Sequence, residues 1–276
     1  MALTRWAHLL ALMTVFGSAA FLWLLERRTL AQPPPSRLWL VLAGVAAGSA
    51  LLQFVLTVAG MSDAVTGVFT SGTAATVLED TLFGQVFIVR VVLLAALIAL
   101  IVFRSSALLF VAIVSGAALA AVALTSHAAA SGREAYALWR AANDAVHLLC
   151  GGFWIGGLAM LLKLAWERTP FLHATVVQFS ESAIYVVTFL ALAGMINTGF
   201  IFAAQRVSWF YVTLLLLKVA AAVGMIVLAF VNRVRIMPAL AEGRDADVFA
   251  RNVRAELLLG AGVVALAAVL GSVSPG

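Results

Sequence analysis

The chain of 276 residues returns again and again to stretches of about 17 to 25 predominantly apolar residues. A helix rises about 1.5 Å per residue, so a stretch of that length crosses a hydrocarbon core roughly 30 Å thick. Lipid offers the backbone no hydrogen-bonding partners, and a single run can satisfy its own only as a helix. Eight such runs stand out, at 6–25, 38–59, 84–103, 106–125, 143–163, 180–202, 207–231 and 255–273. The expected fold is therefore all-α: a polytopic membrane bundle of eight transmembrane helices, forming one integral domain over residues 1–276. Only 11% of residues are charged and the mean hydropathy is +1.11, too little polar surface to cover a water-soluble domain.

The connections carry their own signals. The opening "MALTRWAHLLALMTVFGSAAFLWLLERR" has Arg5 before an apolar run and small residues within it, as a cleaved leader would, but the run continues to Leu25 and predicts a first membrane helix. "QPPPS" closes the first connection, since a proline run cannot continue a helix. Residues 60–83 are small, polar and acidic, predicting a surface loop with an interfacial helix near "ATVLEDTLF". The lone Cys150 excludes an intrachain disulfide.

Lys and Arg outnumber Asp and Glu by 17 to 12, a balance that in a soluble chain would suggest nucleic acid. Placed on eight spans, the basic residues divide eleven to four between the two sides, with Arg90 and Lys218 left inside the third and seventh spans. Positive charge gathers on the cytoplasmic side of membrane proteins. The partner implied is a lipid bilayer and not nucleic acid, with both termini outward, which in a bacterial inner membrane means the periplasm. No phosphate-binding loop or hydrolytic motif is present, so an enzyme driven by its own nucleotide hydrolysis is not expected.

Polar groups inside the spans need a reason. His8, His127 and His147 fall on the first, fourth and fifth spans at one depth near the outer side, while His173 falls in a cytoplasmic connection. Helix bundles build metal and haem sites from inward side chains on separate helices, so these three imidazoles are candidate ligands. Water-facing histidines are the plainer explanation of each one singly. Asp144 precedes His147 by three positions and so shares its helix face, where a carboxylate can accept a ring N–H and fix the ligating nitrogen. Cys150 continues that face one turn deeper and would suit Cu(I), although a lone buried cysteine is usually a packing residue. Met13 and Met195 offer soft sulfur in the outer halves of the first and sixth spans, with core filling as the alternative. Asn197 predicts an interhelical hydrogen bond. Arg90 and Lys218 are expected to snorkel, or Lys218 to pair with an acid such as Glu181 or Glu256. Gly152 and Gly156, four apart, predict a close helix approach.

Together "TSHAAASG", "DAVHLLCGGFWIGGL", "FSESAIYVVTFLALAGMINTG", "LLLLKVAAAVGMIVLAFVNR" and "RAELLLGAGVVALAAVLGSVSP" resemble the copper resistance D family of bacterial inner-membrane proteins. The resemblance is strongest over the second half of the chain; "LEDTLFGQVFIVR" and the early histidine carry it in the first. It implies an eight-helix protein that moves copper across the inner membrane alongside a periplasmic copper-binding partner. No such domain is fused here, so the partner would be a separate protein. The resemblance carries over His127, Asp144 and His147, and later Phe179, Ser180, Asn197, Lys218, Asn232, Arg233 and Glu256; Cys150 is not a family landmark. Three functions remain open on the sequence: a copper-handling protein, not an enzyme, with copper as its ion; a redox protein using two of the histidines as haem ligands; and a structural subunit.

Overall fold

Every apolar run folds as a helix in the computed structural model, which describes residues 1–26, 36–61, 72–104, 107–125, 134–204 and 206–274. In chain order these are α1 (Ala2–Glu26), α2 (Ser36–Met61), the short α3 (Thr73–Asp80), α4 (Leu82–Arg104), α5 (Leu108–Ala121), α6 (Glu134–Trp166), α7 (Leu172–Ala204), α8 (Trp209–Val231), the short α9 (Met237–Ala241) and α10 (Ala246–Leu270). α3 is the interfacial helix expected near "ATVLEDTLF". Eight helices are long and apolar enough to span a membrane, and no strand occurs among the described residues.

The largest differences from the expected boundaries are at three helix starts. α6, α7 and α10 start at Glu134, Leu172 and Ala246, where the apolar runs begin only at 143, 180 and 255. Hydropathy marks where a helix enters hydrocarbon, not where it begins. The added turns "EAYALWRAA", "LHATVVQF" and "ADVFARNVR" contain neither proline nor glycine, so nothing stops them from continuing the helix into water. At the other end of α8 the helix widens instead of stopping. A π turn spans Asn232–Ile236, with the Met237 amide donating to the Asn232 carbonyl, directly before Pro238. Proline has no amide hydrogen for a carbonyl one turn back, and a widened turn relieves that mismatch.

α1 is the centre of the bundle, with Leu12, Val15 and Ala19 fully buried. It packs on α6, α2 and α5 and touches α10; α4 closes the α2 and α5 side. α7 lies on α6 and α8 on α10, and these two are the least buried spans. The closest approach is between α1 and α6. A Cβ added to Gly17 would collide with the Gly152 carbonyl, and one added to Gly156 with the backbone of Gly17 and Ser18. The expected close approach at Gly152 and Gly156 is thus met by backbone from α1. Next along α6, Gly157 serves another face: a Cβ there would strike the ring of Phe179. That ring packs edge-on to Phe21, centroids 5.2 Å apart.

The ends are tied as well. Trp6 Nε1 donates to the Ala261 carbonyl (3.0 Å) and Arg5 Nη1 to the Gly271 carbonyl (2.9 Å), joining the start of α1 to the end of α10. Gly243, at φ +74°, makes the turn from α9 into α10, with the Arg244 amide donating to the Ala239 carbonyl at 2.9 Å.

Two outcomes follow from this packing. Gly156→Leu forces the α1–α6 seam apart and lowers stability by at least the ~1 to 3 kcal/mol typical of overpacking; thermal unfolding in detergent checks it, and unchanged stability refutes the seam. The charge asymmetry predicts that the α9–α10 turn is cytoplasmic. In a Cys150→Ala background, Glu242→Cys should therefore resist an impermeant thiol reagent in intact cells and react after lysis; labelling in intact cells reverses the orientation.

Candidate functional site

α1 and α6 run in the same direction. Met13 meets Gly152 and Ser18 meets Gly156, an offset of 138 or 139 positions that sets His8 level with position 146 or 147. The two imidazoles therefore occupy one depth, as expected, but they turn to different neighbours.

His8 is 1% exposed. Its Nδ1 lies 2.8 Å from the Ala46 carbonyl of α2 and 3.3 Å from Ser49 Oγ, and its Nε2 lies 2.7 Å from Arg90 Nη2 of α4. A carbonyl only accepts and a guanidinium only donates, which fixes the tautomer. Nδ1 carries the hydrogen, and the lone pair of Nε2 is taken by Arg90. Arg90 thus does not snorkel: it is buried and turned inward, because a mid-helix guanidinium finds a better partner in an imidazole at its own depth than at a distant interface. A metal at His8 would have to displace Arg90.

His147 faces the other way, towards α7. Its Nδ1 lies 3.0 Å from the Leu190 carbonyl, and a Cβ on Gly194 would come within 3.2 Å of its Cε1, so the glycine makes room for the ring. Here too a carbonyl holds the Nδ1 hydrogen, and the lone pair falls on Nε2. The carbonyl does the orienting expected of Asp144. Asp144 instead accepts from Asn197 Nδ2 at 3.3 Å and lies within electrostatic reach of Arg5 and Lys218. Asn143 completes the group, donating to Asn197 Oδ1 (2.7 Å) and to the Ala193 carbonyl (2.9 Å). The expected interhelical hydrogen bond of Asn197 is thus made to α6. Lys218 pairs in charge with Asp144 and also bears on His147. Its carboxylate partner is neither Glu181 nor Glu256, because α8 presents it to the part of α6 that carries Asp144 and His147.

The remaining candidates separate. Met13 is buried, with its methyl against Gly151, and Cys150 of α6 is half-buried. Met195 is 62% exposed and lies on the outer surface of α7, so it lines no path through the bundle. His127 lies outside the described residues. Among those described, no group of three or more His, Cys, Asp and Glu side chains is placed to hold a metal ion.

Arg5, Asn143, Ser49 and the Leu190 carbonyl were not anticipated. Asn143 had a signal, an amide inside an apolar run beside Asp144 and matched by Asn197 on the next span. A backbone carbonyl has none.

Comparison with known proteins settles the family. Residues 1–136 match the family described as Copper resistance protein D-like, N-terminal domain, and residues 173–270 the one described as Copper resistance protein D. The chain belongs to the copper resistance protein D family. It is 30% identical to Copper resistance protein D of Pseudomonas syringae pv. tomato, over 98% of this chain and 95% of that one. It is 27% identical to Inner membrane protein YebZ of Escherichia coli (strain K12), over 98% of this chain and 97% of that one. No solved structure matches it. The two matched regions share one core here, since α1 of the first packs against α10 of the second.

The geometry separates the histidines by their effect on stability. His8→Ala strands the buried Arg90 guanidinium without its acceptor, so it should cost about 2 to 3 kcal/mol. His147→Ala releases only a neutral carbonyl contact and should cost about 1 kcal/mol. Unfolding of the two purified variants side by side checks the order.

Proposed function

We propose that this protein is an inner-membrane copper carrier in which copper, its cargo, binds Nε2 of His147. Family membership supports copper handling. The observation that carries the finer reading is the bond from His147 Nδ1 to the Leu190 carbonyl, which holds the ring neutral at Nδ1–H and leaves Nε2 as the donor a metal uses. Asp144 supplies negative charge on the same helix face, against Lys218 and Arg5. One turn deeper, Cys150 and Met13 offer sulfur, which favours Cu(I). Delivery calls for a separate periplasmic copper-binding protein.

Haem is the less favoured reading. Two axial ligands must face one another across a single ring, whereas His8 turns to α2 and α4 and His147 to α7. We read the chain as a carrier and not an enzyme.

Copper titration of the purified protein tests the site. His147→Ala should abolish high-affinity binding, and Asp144→Asn, which removes nearby negative charge but no bond to the imidazole, should weaken it less. His8→Ala should bind as the parent does. Unchanged affinity in His147→Ala refutes the assignment.

A further inference from the structure

About 14 positions below the His147 level, a second polar group interrupts the same side of the bundle. A cavity of about 60 Å³ opens between α6, α7, the end of α8 and α10, bordered by Trp154, Phe179, Ser180, Asn232, Arg233 and Glu256. Most of its wall is apolar. Glu256 is 1% exposed and makes a single hydrogen bond to protein, from Asn232 Nδ2 to its Oε1 at 2.7 Å. Its other oxygen, Oε2, is buried without a protein partner, and so is Nε1 of Trp154, which also borders the cavity.

The hydrogen-bond chain fixes the chemistry of that carboxyl. Asn252 Nδ2 donates to Asn232 Oδ1 at 2.8 Å, so the Asn232 amide must present its NH₂ to Glu256. Oε1 is therefore an acceptor, and a proton on this carboxyl sits on Oε2, the oxygen without a protein partner. No cation pairs with Glu256 among the described residues. Arg233 is the one other charged group bordering the cavity, and its Nη1 is spent on the Ser180 carbonyl (3.1 Å) and hydroxyl (2.6 Å). Neither Trp154 of α6 nor Asn252 of α10 carries charge. Burying a carboxylate without a counter-charge is far costlier than burying the neutral acid with its hydroxyl bonded. A cavity of this size admits water, and the residues of both unpartnered atoms border it. Ser180 and Arg233 on the same border are half-buried.

We propose that Glu256 and this cavity form an intramembrane proton-exchange site. A hydronium at the mouth gives its proton through cavity water to Oε2 and leaves as water; the reverse step returns it. The site goes beyond the copper reading and does not depend on it.

Infrared difference spectroscopy of the lipid-reconstituted protein, with bulk pH stepped and no copper present, tests the site. The expected result is a protonated-carboxyl C=O band that changes with pH, shifts in heavy water and vanishes in Glu256→Gln. Trp154→Phe keeps the shape of the wall but removes the indole N–H, and it should move the band without abolishing it. If Glu256→Gln does not fold, isotope-labelled glutamate in the parent and the Trp154→Phe comparison still decide. A band that persists in Glu256→Gln, ignores pH and heavy water, or is unmoved in Trp154→Phe overturns the proposal, as does the absence of any band.

Discussion

Backbone contact between α1 and α6 sets the geometry on which the rest of the bundle depends. Lipid tails are as apolar as leucine, so helices in a membrane gain little by hiding hydrophobic side chains and are held by close packing and hydrogen bonds. Gly17, Gly152 and Gly156 bring the two backbones together and lock their register. From that register come the shared depth of His8 and His147 and the placing of Phe179 over Gly157. α1 is then surrounded on all sides, which makes the first helix the core of the fold and not a removable lead-in.

The same apolar medium decides what each polar residue does. A buried group without a partner is costly, so polar side chains at one level find each other. His8 and Arg90 do so across α1 and α4, and Asp144, Asn143, Asn197 and Lys218 do so across α6, α7 and α8. Two histidines of similar depth thereby acquire opposite characters. One accepts from a buried cation through Nε2; the other is held by a carbonyl at Nδ1 and makes no hydrogen bond to a described residue through Nε2. The difference lies in what the second ring nitrogen meets.

Much of this was legible in the sequence. Apolar run length gave eight helices, glycines four apart gave the tight seam, and the positions of His8 and His147 gave their depth. Depth is one coordinate, however, and facing is another. Nothing in a single sequence says that α1 presents His8 to α2 and α4 while α6 presents His147 to α7, because helix order around the bundle is a tertiary property. Arg90 was misjudged for that reason: its acceptor lies on a helix distant in sequence. The Leu190 carbonyl could not have been anticipated, since every residue has one. Lys218 shows the converse: its partner Asp144 is plain in the sequence, but only the packing of α8 chooses it over Glu181 and Glu256. Family resemblance supplied Asn232, Arg233 and Glu256 as positions without a chemistry, and the cavity supplies it.

The two polar groups on the α7 and α8 side sit about 14 residues apart along α8, from Lys218 to Asn232, roughly 20 Å at the helical rise. At that separation two unit charges in a medium of effective dielectric about 20 interact by roughly 0.8 kcal/mol, less than a tenfold change in any equilibrium. A cation at His147 and a proton at Glu256 thus cannot govern one another through the field alone. Any strong link between them has to be carried by the elements that touch both, and the α1–α6 seam is a poor carrier, because backbone packed on backbone has no second arrangement to adopt. α7 is different. It places the Leu190 carbonyl on His147 at one level and Ser180 on Arg233 at another, and it packs mainly on α6, with smaller contacts to α1 and α9, as one of the two least buried spans. α7 therefore hydrogen-bonds to both groups, and a link between them has this helix to run through.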